Sequence, residues 1–97
     1  MTFESTEDFV DEAMRYVEAV AKDRAYFTID NVIDYWRGAN RGELPNIPDQ
    51  RAWGLVMRHA GKLRVAIPTG SFVPSRNPNC HATPRRIWRG QPMRMAV

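Results

Sequence analysis

The chain is 97 residues long, enough for one domain and too short for a second independent core. Hydrophobic residues make up 43% and charged residues 26%, ordinary values for a soluble globular protein. No stretch approaches the roughly 18 apolar residues of a membrane span. The opening Met-Thr-Phe-Glu-Ser-Thr-Glu-Asp is acidic and lacks the apolar core of a secretory signal. Cys80 is the single cysteine, which excludes an intramolecular disulfide and a multi-cysteine zinc site. The expectation is a cytoplasmic protein with no membrane partner.

The net charge of +3 conceals an asymmetry along the chain. Up to residue 45 there are five basic groups and ten acidic ones; from residue 46 onward there are nine basic groups and Asp49 alone. Twelve of the fourteen basic residues are arginine, whose planar fork matches phosphate oxygens and guanine edges. A basic half of this kind points to a polyanionic partner.

Ser5 and Thr6 are suitable N-caps, and Glu7, Asp8, Asp11 and Glu12 favour the positive end of a helix dipole. Phe9, Val10, Ala13, Met14, Tyr16, Val17, Val20 and Ala21 then recur at helical spacing, which predicts a helix over about residues 6–23. Ala25–Thr28 is a short aromatic strand. Thr28 or Asp30 caps a second helix, over about residues 29–38, with Ile29, Val32, Ile33, Tyr35 and Trp36 inward and Gly38 closing it. A Gly- and Pro-bearing loop follows. Asp49 caps a third helix, over about residues 49–61, with Ala52, Trp53, Val56, Met57 and Ala60 inward. Gly61 ends it, and Leu63 packs just beyond.

Leu63–Ile67 is predicted as a strand, Pro68–Pro84 as a long extended loop, and Arg85–Arg89 as a second strand. This gives a single domain over about residues 1–89 and a flexible tail over about 90–97. Three helices followed by a hairpin, with the short strand able to join it, form the winged helix-turn-helix arrangement. The fold class is therefore α+β, with a wing over about residues 64–89.

The third helix is the first candidate site. With Trp53, Val56 and Ala60 inward, Gln50, Arg51, Gly54, Arg58 and Lys62 lie outside. Gln50 and Arg51 suit adenine and guanine edges, and Gly54 leaves room for a sugar–phosphate backbone, or alternatively for a neighbouring helix. The long loop is the second: Arg76 near its tip suits a narrow minor groove, with Ser75 and Asn77 as phosphate contacts. His81 is a further wing contact. Arg85 and Arg86 belong to a third patch with Arg89, where alternation sets Arg85, Ile87 and Arg89 on one face and Arg86 with Trp88 on the other. One of these arginines has an acid of the first helix as an alternative partner. His59, Cys80 and His81 are too scattered for a metal site or a nucleophilic pair, and no phosphate loop or nucleophile elbow is present, so neither catalysis nor a cofactor is expected. Trp36, Trp53 and Trp88 are expected in the core.

Phe27-Thr28-Ile29-Asp30-Asn31-Val32, Ala52-Trp53-Gly54-Leu55-Val56-Met57-Arg58-His59-Ala60-Gly61, a wing with Ser75 and His81, and a closing Ile87-Trp88-Arg89 carry a resemblance. Over about residues 26–89 the chain resembles small winged helix-turn-helix DNA-binding proteins encoded by phages and prophages of actinobacteria. The Ala-Trp-Gly start of the third helix with the terminal Trp-Arg is its most specific part. The departures are Leu63 and Arg64, where relatives often hold an extra basic residue after the glycine, and the acidic first helix. The resemblance implies a phage DNA-binding protein of the host cytoplasm, in transcription regulation or as an accessory factor in recombination or replication. With the residue reading it gives the expectation of a non-enzymatic protein that binds double-stranded DNA, with homodimerisation as a further expectation. The alternative is a protein-interaction module that binds a host or phage protein through the acidic first helix and the apolar loop Leu44–Pro48.

Overall fold

The structure, a computed structural model, describes residues 2–74 and 84–91. Its elements run α1 (Thr6–Asp23), β1 (Tyr26–Phe27), α2 (Ile29–Ala39), α3 (Ala52–Lys62), β2 (Ala66–Pro74) and β3 (Pro84–Gly90). The fold is a mixed α+β domain, in which three helices pack with a three-stranded antiparallel sheet of order β1-β3-β2. None of the helices is long and apolar enough to cross a membrane among the described residues.

The first two helices begin where their caps place them. Ser5 Oγ accepts the Asp8 N–H at 3.2 Å, and Glu7 and Asp8 occupy the first turn of α1. Thr28, rather than Asp30, is the N-cap of α2. Its Oγ1 accepts the Asp30 N–H at 3.2 Å, while Asn31 Oδ1 accepts the Thr28 N–H at 2.9 Å, a reciprocal capping box. Gly38 does not close this helix. Asn40 does, donating from Nδ2 to the Trp36 carbonyl and to Tyr16 Oη, and the left-handed Arg41 and Gly42 follow.

Two expectations fail at the ends of α3. It starts at Ala52, because Asp49 opens a preceding turn: its Oδ1 accepts the Arg51 N–H at 2.9 Å and its carbonyl accepts the Ala52 N–H. It passes through Gly61 and stops at Lys62. Arg64 then takes the left-handed conformation at φ 59, with Arg64 N–H on Gly61 O and Val65 N–H on Ala60 O. These bonds make a Schellman motif with arginine where glycine is usual, and the apolar contact beyond the end is Val65. Leu63 is exposed instead.

The core lies between the helices and the inner face of the sheet. Phe9, Val17, Val32, Trp36, Val56 and Val65 are fully buried. Trp53 and Trp88 are only half-buried, packed against this cluster, so of the three tryptophans Trp36 alone is entirely interior. Tyr35 is exposed, its ring 5.7 Å from that of Tyr16 and tilted 49° to it. Within the loop 44–48, Ile47 is buried, and the Phe3 N–H bonds Asn46 O at 2.8 Å. That loop is tied to the N-terminal segment at Asn46, while its Leu44 stays exposed.

The first hairpin strand starts at Ala66 and not at the expected Leu63, because residues 63–65 close α3, and both hairpin strands reach further toward the turn than the alternation suggested. β2 extends through Pro68 to Pro74 because it is an edge strand, where a missing N–H is tolerated, and Pro84 is the first residue of β3. A bulge between Pro68 and Phe72 carries Gly70 at φ +84, and Thr69 Oγ1 bridges it to Ile87 O at 2.8 Å. Gly90 and Gln91 are not tail: their N–H groups bond Ala25 O and Val65 O. The rest of the expected tail lies outside the described residues.

Gly90 supports a direct test. A Cβ there would stand 2.8 Å from Ala21 O and 3.0 Å from Arg24 O, both backbone atoms that cannot turn aside. Gly90→Ala should lower stability by about 1–3 kcal/mol in thermal denaturation. Gly38→Ala, within α2 and facing open space, should raise it by about 1 kcal/mol.

Candidate nucleic-acid interface

The exposed side of α3 follows from what its other side buries. Ala52, Val56, Met57 and Ala60 face the core, and the Trp53 ring stands edge-on to Phe9 at 4.8 Å. Gly54, Arg58 and Lys62 then form one outward row at four-residue spacing, with Gln50 and Arg51 exposed ahead of it. No atom lies within 4 Å of the Cβ position at Gly54, so the glycine does not make room for a neighbouring helix.

The five expected residues of this face are thus on one surface, but they divide between two concavities. Gln50, Arg51 and Gly54 line a groove of about 690 Å³ between α3, α2 and the hairpin, opposite Phe72, Arg85 and Arg86. Arg58 and Lys62 line a smaller cleft of about 410 Å³ with His59 and Leu55, and its other wall is Glu7 and Asp11 of α1. Among the described residues neither Arg58 nor Lys62 forms an ion pair.

Arg51 is held by Asp49. Its Nη2 lies 3.0 Å from Oδ2 and its Nε bonds both carboxylate oxygens at 3.3 Å. The hydrogen bonds from the Arg51 side chain, then those from its backbone, hold the Asp49 carboxyl below its ordinary value of 3.8; the same pairing raises the guanidinium. Because the carboxyl is depressed in the fold, the pairing is fully formed above pH 3.8 and is lost as pH falls through the lower folded value. Both side chains are exposed, so this is a weak surface pair that a ligand can exchange.

The arginines of β3 have different fates. Arg85 was expected to face DNA, with an acid of the first helix as an alternative partner. It pairs instead with Asp30 of α2, Nε to Oδ1 at 3.5 Å, and is largely buried. This pair fastens the hairpin to α2, while Arg85 still lines the groove beside α3. Arg86 remains exposed, its guanidinium 5.2 Å from the centroid of the cross-strand Phe72 ring. Arg89 lies on the outer face with Tyr26, Ile67 and Ile87, away from α3. Ser75, Arg76, Asn77 and His81, like Cys80, lie outside the described residues.

The sequence reading missed Phe72, which stands exposed on the α3 side of the hairpin. Its signal was the pairing with Arg86, which becomes visible only once the strand register is known. Among the described residues no group of three or more His, Cys, Asp and Glu side chains converges to hold a metal ion. Comparison with protein-family models, curated proteins and solved structures finds no match.

Two measurements check this geometry. An NMR titration should place the Asp49 carboxyl below 3.8, and Arg51→Ala should return it to that value. Gly54→Ala fills open space on a helix, so it should stabilise the free protein by about 1 kcal/mol in thermal denaturation.

Proposed function

We propose that the chain is a winged helix-turn-helix protein that binds double-stranded DNA without catalysing a reaction. In this reading α3 enters the major groove and the hairpin is the wing, on the minor groove or the backbone. The observation that carries it is the outer row of α3. Gly54 there is bare, Arg58 and Lys62 are unpaired among the described residues, and the exposed Arg86 stands on the adjoining hairpin.

The element order and the strand order β1-β3-β2 support the winged arrangement, because the central β3 lets the hairpin project beside α3. Gln50 and Arg51, ahead of the first turn of α3, are the base-reading candidates; Arg58, Lys62 and Arg86 are the phosphate-binding ones. The exposed Gly54 lets a sugar–phosphate strand approach the helix backbone. The resemblance to phage proteins supports a regulatory role, or an accessory one in recombination or replication. A palindromic site selected from random duplexes would add a homodimer to this reading.

Fluorescence-anisotropy titrations of duplex DNA at about 50 and 200 mM salt test the proposal. Affinity should fall steeply between them as phosphate contacts release counterions. Arg58→Ala should weaken binding to every duplex alike and reduce the log–log salt slope by about one. Arg51→Ala should relax preference at one or two positions, at a loss of about 1–3 kcal/mol on the selected site. Absence of duplex binding at about 50 mM salt overturns the reading.

A further inference from the structure

The groove between α3 and the hairpin has more apolar surface than DNA uses. Ile33, Trp53, Met57 and Trp88 form its floor, and the exposed Leu44 and Phe72 flank it. A duplex offers phosphates, base edges and thymine methyls, none of which fills an apolar groove of about 690 Å³. The polar lining is Gln50 and three arginines: Arg51, Arg85 and Arg86. None of the eleven acidic residues of the chain lines it; Asp30 and Asp49 hold Arg85 and Arg51 from outside. Aromatic residues, Met and Arg without Lys, Asp or Glu are the composition of the centre of a protein–protein interface, where Trp and Arg supply most of the binding energy. Arg86 has no acid partner among the described residues, and its guanidinium, 5.2 Å from the centroid of the Phe72 ring, is exposed at the groove and able to meet a carboxylate.

We propose that this groove docks an acidic amphipathic segment of another protein, and that this segment and DNA exclude each other. Its apolar side chains enter the floor and a carboxylate meets Arg86, the lining arginine that has no acid partner among the described residues. The exclusion rests on the DNA reading above, because Arg51, Gly54 and Arg86 belong to both footprints; the docking does not depend on it.

The experiment is selection of peptides of about 16 residues, four to five helical turns, from a displayed random library on the immobilised full chain. The most enriched peptide is then titrated by fluorescence anisotropy. Enriched peptides should combine Leu, Phe or Trp with Asp or Glu, and duplex DNA should displace them. Phe72→Ala and Arg86→Ala should each bind the peptide at least about tenfold more weakly. Phe72 is 53% exposed, so an unchanged thermal midpoint in Phe72→Ala will show that a contact and not the fold was lost. Enrichment of neutral or basic peptides, or equal binding by Phe72→Ala, overturns the docking. Peptide and duplex bound together overturn the exclusion. Peptide binding by a chain that binds no duplex supports the docking and overturns the DNA reading.

Discussion

The structure depends on the ring of Trp36. It is fully buried in α2 and meets Phe3 at 5.8 Å, Phe9 at 5.7 Å, Tyr16 at 4.6 Å and Trp53 at 5.8 Å, mostly edge to face. Those four rings come from the N-terminal segment, from two turns of α1 and from the start of α3. Edge-to-face pairs add about 0.5–1.5 kcal/mol each beyond the area they bury. They also fix rotation, because a T-shaped contact is lost when a helix turns about its axis. Trp53 is thereby held inward, and Gly54, one residue on, must face out. The surface proposed to meet DNA is set by an aromatic contact one residue away on the same helix.

A second constraint sets where the hairpin lies. β3 is central, so it carries both the pairing to β1 and the pairing to β2. Trp88 sits opposite Phe27 and lies over Gly61, whose missing side chain leaves 3.4 Å between the Cβ position and the indole. Gly90 lies against the backbone where α1 ends. These contacts hold the proximal half of the hairpin, and the Asp30–Arg85 pair extends the hold toward the distal half. Both Arg85 and Arg86 line the groove, but Arg85 is paired with Asp30 while Arg86 has no acid partner among the described residues. Residue type alone does not distinguish them; the difference is that Asp30 lies within reach of only one.

The sequence made the local features legible and the long-range ones not. Caps, helical period and the partly alternating apolar runs located α1 and α2 closely, placed β1 in the sheet, and identified the outer row of α3. Each of those signals lies within a few neighbouring residues. The errors arise where packing decides. Asp49 satisfies an N-cap preference yet caps a turn ahead of the helix. Gly61 resembles a stop, but Arg64 takes the left-handed position and the helix passes through Gly61. Pro68 and Pro74 argue against a strand until β2 is known to be an edge. Ile47 is buried because the N-terminal segment pairs beside it. Likewise the α3 face was readable as half of a site, whereas the groove that joins it to Leu44, Phe72 and Trp88 exists only in the tertiary arrangement.

Charge shows most clearly that order along the chain is not order in space. The acidic first half and basic second half do not occupy opposite ends of the molecule. Glu7 and Asp11 share a cleft with Arg58 and Lys62, so an approaching phosphate meets attraction and repulsion together at that end of α3. Toward the other end the nearest acids, Asp49 and Asp30, are each engaged by an arginine. Of the three arginines where the start of α3 faces the hairpin, Arg51 and Arg85 are thus offset by these acids, and Arg86 is the one without an acid partner among the described residues. It stands where the apolar groove opens, so the unbalanced charge and the groove lie together.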